Sequence, residues 1–121
     1  MKIFALLGSM FGFIGVAAGA FGAHAMANRL EPRMLEVWQT AAQYQMVHAL
    51  ALIGAAFLVH HTQSTAAWVG GWSFAAGILV FSGSLYLMAL TGARGLGAIT
   101  PIGGVAFLVG WFCCVLASLK L

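Results

Sequence analysis

Residues 3–24, 39–60, 67–90 and 101–120 form four stretches of about 20 residues each, in which apolar side chains dominate and charge is confined to the ends. A hydrocarbon core about 30 Å thick needs about 20 residues of helix, at a rise of about 1.5 Å each. Lipid offers no partner to backbone N–H and C=O groups, so such stretches cross it as helices. Nothing in the chain alternates with the period of two that a barrel strand requires. The fold class expected is therefore all-α integral membrane: a single transmembrane domain over residues 1–121, built as a four-transmembrane-helix antiparallel bundle. Composition supports the same solvent. The chain is 63% hydrophobic and 6% charged, against about 45–50% and about 25% in soluble domains. Too few charges exist to cover a water-facing surface, whereas membrane lipids are a natural partner for one so apolar.

The charges fall between the stretches. Lys2, Arg29, Arg33, Arg94 and Lys120 face only Glu31 and Glu36, for a net charge of +3. No basic run points to nucleic acid. The connector "NRLEPRMLEVW" (28–38) holds four of the seven charges. Pro32 suits a first helical turn, where its missing N–H is no loss. Leu30, Met34, Leu35 and Trp38 can lie at the lipid surface while Arg29, Arg33 and Glu36 face water, so a short interfacial helix is expected between spans one and two. "HHTQST" (60–65) reads as a polar turn, and "TGARGLGAIT" (91–100) as a glycine-punctuated loop in which Gly92 stops span three. Thr100 and Pro101 read as the N-cap and first residue of span four. Trp38, Trp68, Trp72 and Tyr86 sit where interface anchors belong; Trp111 does not. The 25–38 and 91–100 loops share one side and carry three of the five basic side chains, a lean toward the cytoplasmic face. Residues 1–25 have the outline of a secretory signal, including a small-x-small "AHA" at 23–25. Their apolar run of about 20 residues exceeds the h-region of such signals, so it is expected to stay as span one. Adjacent Cys113 and Cys114 read as small apolar fillers rather than a disulfide.

Span one carries Gly8, Gly12, Gly15, Gly19 and Gly22, separated by 4, 3, 4 and 3 residues. At about 100° per residue they fall within about 80° of one helix face. Glycine is a poor helix former, by nearly 1 kcal/mol relative to alanine. In lipid such a stripe earns its place by letting backbones approach closely. Shorter versions recur every seven residues: Ala42, Ala49 and Ala56 in span two, Gly70, Gly77 and Ser84 in span three, and Gly103, Gly110 and Ala117 in span four. A tight bundle is expected, with span one, the owner of the longest stripe, at its centre.

Span two places Gln43, Tyr44, Gln45 and His48 in or beside hydrocarbon. Trp38, Ala41, Gln45, His48 and Leu52 share a face, Tyr44 borders it and Gln43 points away. An ionisable residue at depth marks either a functional site or a hydrogen bond that fixes helix register. Candidate partners are Ser9, Ser73, Ser82, Ser84, Tyr86 and Thr100. His24 ends span one on the side where span two begins, so the two histidines are candidates for a shared ligand. No cysteine or carboxylate lies near them in sequence to complete a metal set, and no metal or other cofactor is expected. No catalytic constellation is present either: no paired carboxylates in the membrane, no Ser-His-Asp order, no phosphate-cradling motif.

The segments "GAFGAH" (19–24), "YQMVHALAL" (44–52), "FSGSLYLMALTG" (81–92), "LGAITPIGG" (96–104) and "GW" (110–111) follow one another along the chain. In these the chain resembles the small four-helix inner-membrane proteins of the YgdD/YwdK type, a family catalogued as a domain of unknown function with eukaryotic transmembrane relatives. The resemblance implies a multi-pass protein of the bacterial inner (plasma) membrane. It implies that His24, Tyr44, Gln45, His48, Ser82, Ser84, Tyr86, Thr100 and Pro101 belong to the family pattern, and it supplies no catalytic residue. Two functions follow as expectations. One is a structural or accessory bundle, not an enzyme, that forms a homo-oligomer or docks a larger membrane complex. The other is binding or transport of a small or lipidic molecule, quinone or haem included, at a polar site on spans one to three lined by His24, Tyr44, Gln45, His48, Ser84 and Tyr86.

Overall fold

The computed structural model describes residues 1–121. It contains four helices long and apolar enough to cross a membrane: α1 (Lys2–Met26), α2 (Pro32–Thr62), α3 (Thr65–Thr91) and α4 (Arg94–Ser118). They run up and down in chain order, and no strand is present. Two helices are not uniform. α1 widens into a π-helical segment over Ala17–Gly22, and α3 does so over Ile78–Ser82. α4 opens with a tighter 3₁₀ turn, Arg94–Ala98.

Local chemistry sets the boundaries. Glu31 is extended (φ −64°, ψ 156°) and Pro32 takes the first helical position of α2. α2 stops at Gln63, whose left-handed backbone (φ 54°) lets its N–H reach the Val59 carbonyl at 2.9 Å. Ser64 then caps α3 by accepting the Ala67 N–H at 3.1 Å. Gly92, at φ 72°, closes α3 with its N–H on Met88 O at 2.7 Å. Two sequence expectations are corrected here. Residues 32–38 form no separate interfacial helix: nothing in "PRMLEVWQTAA" breaks the backbone, so they are the first turns of one 31-residue helix. At about 1.5 Å per residue that helix is about 46 Å long, so its charged first turns project beyond a core of about 30 Å. Thr100 is not an N-cap. Ile99 takes that position with helical φ and ψ, and the Thr100 hydroxyl is spent elsewhere, on Ser84.

The bundle is built as two close pairs, α1 on α2 and α3 on α4, joined along α2 and α3. In their most apolar windows α2 and α3 bury 56% and 50% of their residues, whereas α1 and α4 bury 17% and 22%. Span one is therefore peripheral, contrary to the expectation from its glycines. A stripe confined to one helix face serves one neighbour, and α1 spends all five glycines on α2. A methyl built on Gly8 would lie 2.7 Å from the Ala49 carbonyl oxygen, and one on Gly15 would lie 2.7 Å from Met46 Cγ. Gly19 faces Ala42, and Gly22 accommodates the Trp38 indole. The seven-residue stripes of α3 and α4 meet each other: Gly70 lies against Cys113 and the Gly110 carbonyl, Gly77 against Phe107 and the Gly103 carbonyl. Aromatic rings fill what the glycines open, with Phe4 inserted against Gly71 and Phe74 against Gly110. Phe4, Leu52 and Phe74 are the large apolar side chains removed completely from the surface.

The crowding differs along the stripe, and that gives a test. Gly8→Ala pushes a methyl onto backbone, and should destabilise the bundle by about 1–3 kcal/mol. At Gly12 the nearest atom to an added methyl is 3.8 Å away, so Gly12→Ala should leave stability unchanged or raise it. Thermal unfolding of both variants in one detergent checks the contrast.

Candidate functional site

α2 carries the polar residues of the core, and their spacing aims each at a different neighbour. Gln45 is 3% exposed. Its Nε2 donates to the Phe11 carbonyl of α1 at 2.9 Å, and its Oε1 accepts the Tyr86 hydroxyl of α3 at 2.8 Å. One amide thus joins three helices. His48 lies one turn further along, 4% exposed. Its Nδ1 lies 2.8 Å from the Tyr44 carbonyl, and its Nε2 lies 3.0 Å from the Trp111 indole nitrogen of α4. A carbonyl can only accept and an indole N–H can only donate. The two contacts together therefore define a neutral imidazole with the proton on Nδ1. Its face stacks on Phe107, with centroids 3.5 Å apart and planes 9° from parallel.

Around this axis lie three further ties. The Ser82 hydroxyl, at the end of the π segment of α3, donates to the Ala41 carbonyl of α2 at 2.8 Å. Ser84 Oγ and Thr100 Oγ1 share a hydrogen bond of 2.6 Å between α3 and α4, and Ser84 also donates to Phe81 O at 3.0 Å. The Trp38 indole donates to the Ala18 carbonyl of α1 at 2.8 Å and packs edge-on against Tyr86. Ala18 lies in the π segment of α1, where its carbonyl already receives the N–H of Ala23, five residues on. Every buried side-chain nitrogen or oxygen has a partner.

The residues singled out from the sequence divide accordingly. Gln45, His48, Ser82, Ser84, Tyr86 and Thr100 enter this set of interhelix bonds. Tyr44 contributes its carbonyl, while the residue is 42% exposed and its ring packs beside Phe81. His24 is not brought to His48. It is exposed near the end of α1, two residues past Gly22, and Gly22 sits beside Trp38. Trp38 and His48 are ten residues apart along α2, about 15 Å of rise. The two rings do not face a common gap, as a shared haem or metal would require. No three His, Cys, Asp or Glu side chains converge anywhere in the fold. Ser9 and Ser73 make no side-chain bond to the cluster. Two members lie outside the candidates that the sequence offers: Trp38, whose place at a span end suggests a surface anchor, and Trp111. The signals were present. Trp38 shares a helix face with Gln45 and His48, and Trp111 is the tryptophan out of place for an interface belt.

Between α1 and α3, Gln45, Ser82 and Tyr86 floor a crevice of about 160 Å³ that opens past Phe11, Ile14 and Leu79. It is too small for a drug-sized ligand, whose pockets are about 300–1,000 Å³.

The profile of a family described as "Protein of unknown function (DUF423)" matches residues 18–104, most of the chain. The chain belongs to this family. A UPF0382 membrane protein of Staphylococcus saprophyticus is 46% identical over 121 residues, covering all of both chains. The UPF0382 membrane protein YwdK of Bacillus subtilis is 44% identical, with 99% of this chain and 98% of the relative aligned. A Staphylococcus epidermidis member is 45% identical over 120 residues, with 99% and 98% aligned. No solved structure matches. The family match takes in Gln45, His48, Ser82, Ser84, Tyr86 and Thr100, and the full-length relatives extend it over Trp111.

Polar locks in membrane bundles contribute modestly, about 0.6 kcal/mol on average and up to about 1.7. A double-mutant cycle of Gln45→Leu and Tyr86→Phe, and a second of His48→Leu and Trp111→Phe, should each return a coupling in this range from detergent unfolding. Coupling within error of zero in both would show that these bonds do not hold the helices.

Proposed function

We propose that the protein is a non-catalytic accessory bundle of the bacterial plasma membrane that acts through assembly, with copies of itself or with a larger membrane complex. One observation carries this reading: Gln45, His48, Ser82, Tyr86 and Thr100, the side chains best suited to hold a ligand or move a proton, are consumed in bonds between helices. A histidine with both ring nitrogens engaged, one by a carbonyl and one by an indole, is a brace rather than a base. Chemistry at this cluster would first have to break the bundle.

The outer helices support assembly. α1 and α4 flank the core and leave most of their surface uncovered. Phe13 and Phe112, on their outward faces, are 79% and 63% exposed. Arg29, Arg33 and Arg94 lie at the end of the bundle where α1 and α3 finish, and by the positive-inside tendency that end faces the cytoplasm.

Photo-crosslinking groups placed at Phe13 and Phe112 should trap discrete adducts of defined mass in intact membranes, with none from the buried Leu52 position. Adducts with lipid alone at both outer positions, or turnover of a substrate by the purified protein, would overturn this function.

A further inference from the structure

The widest recess on the molecule lies away from the polar lock. It is a groove of about 630 Å³ along the seam of α2 and α4. Leu50, Gly54 and Phe57 line it from α2, and Trp111, Cys114 and Ser118 from α4. On the α2 side it extends from Val47 to Leu58, eleven steps of helix, or about 17 Å. That is about half of a 30 Å hydrocarbon core, the depth of a single leaflet.

Three features give this groove the character of a site. The first is Gly54. The glycines that face a partner helix most closely, Gly8, Gly15, Gly70 and Gly77 among them, are crowded by it, but a methyl built on Gly54 meets nothing within 4 Å, as at Gly83. Helix packing does not explain a glycine here, although glycine weakens a helix. What Gly54 does is leave a notch one side chain wide between Leu50 and Phe57, which stand 71% and 52% exposed. A second helix, about 10–12 Å across, would bridge such a notch rather than enter it. The second is rigidity. Trp111 forms the deep end of the groove, and its indole is held by His48 at 3.0 Å, so that wall is already fixed in place. The third is charge. The shallow end lies at Ser118 and Leu121, which flank Lys120. His61 borders it, stacked on Phe57 with centroids 4.1 Å apart. Both acidic side chains of the protein, Glu31 and Glu36, are at the opposite end of α2.

We propose that this groove is a binding site for an anionic phospholipid, which lays one acyl chain along the Gly54 notch as far as Trp111 and sets its phosphate against the Lys120 ammonium. Apolar walls one leaflet deep select a chain, and Lys120, next in sequence to the mouth residue Leu121, favours an anionic headgroup. This seam is distinct from the Phe13 and Phe112 faces on which assembly is proposed.

The experiment is native mass spectrometry of delipidated protein returned to phosphatidylglycerol or to phosphatidylcholine of the same acyl chains. Wild-type protein should retain one phosphatidylglycerol per protomer through a dilution that strips phosphatidylcholine. Gly54→Leu fills the notch, and its Cβ meets no neighbouring side chain or helix within 4 Å. It should lower retention about tenfold or more while leaving thermal unfolding of the lipid-free protein unchanged. Ser118→Phe, which fills the groove from α4, should do the same. Lys120→Gln should keep a chain bound but erase the preference between the two lipids. Equal retention by wild type and both filled variants would overturn the site. So would wild-type indifference to the headgroup, or a lipid-free dimer that Gly54→Leu dissociates, which would assign the groove to a second copy.

Discussion

Hydrocarbon cannot hydrogen-bond, and this one property of the solvent governs the structure. A polar side chain in the span has no water to fall back on, so it must find a partner inside the protein. Gln45 and His48 meet that demand by reaching out of α2 to α1, α3 and α4. The same necessity that makes them costly makes them directional: only one rotation and depth of each neighbour presents the Phe11 carbonyl, the Tyr86 hydroxyl and the Trp111 indole together. The polar groups therefore specify register, while the attraction between helices comes largely from contact.

That contact depends on small residues. Apolar side chains gain little by leaving lipid for each other, so close backbone approach replaces the hydrophobic effect as the source of cohesion. The glycines of α1 bring it against the Ala49 backbone of α2, and those of α3 lie so close to α4 that a methyl built on Gly70 or Gly77 would stand 3.2 Å from the Gly110 or Gly103 carbonyl oxygen. Phe4, Phe74 and Phe107 then occupy space that the missing side chains leave open. The two π segments belong to the same economy of groups: one ends at Ser82, which bonds Ala41, and the other presents Ala18 to Trp38. A widened turn redirects a carbonyl or a side chain toward a neighbour, a common use of π segments.

Much of this was legible in the residues. The stretches of about 20 apolar residues declare four crossings because thickness and rise are fixed quantities. The repeats of Gly8 through Gly22, of Gly70 and Gly77, and of Gly103 and Gly110 declare packing faces because helical periodicity is fixed too. Which face meets which was not legible. The long glycine stripe suggested a central helix, yet α1 is peripheral, since a stripe records how closely one partner approaches and not how many partners there are. Span two marks the polar cluster in the sequence, but the sequence does not settle its membership at either end. His24 shares a membrane side with the start of span two, yet about 15 Å of helical rise separates its level from His48. The depth of Trp111 is wrong for an interface anchor, and that same depth lets it serve His48.

The sequence by itself determined the solvent, the number of crossings, the faces of closest approach and the identity of the polar residues that must be satisfied. These follow from composition and period, which are properties of a single helix. The tertiary structure alone decided the pairing of α1 with α2 and α3 with α4, the partners of Gln45 and His48, and the open seam beside Gly54. Those depend on how helices distant in sequence are rotated and offset against one another, and that is settled by the combined fit of all four.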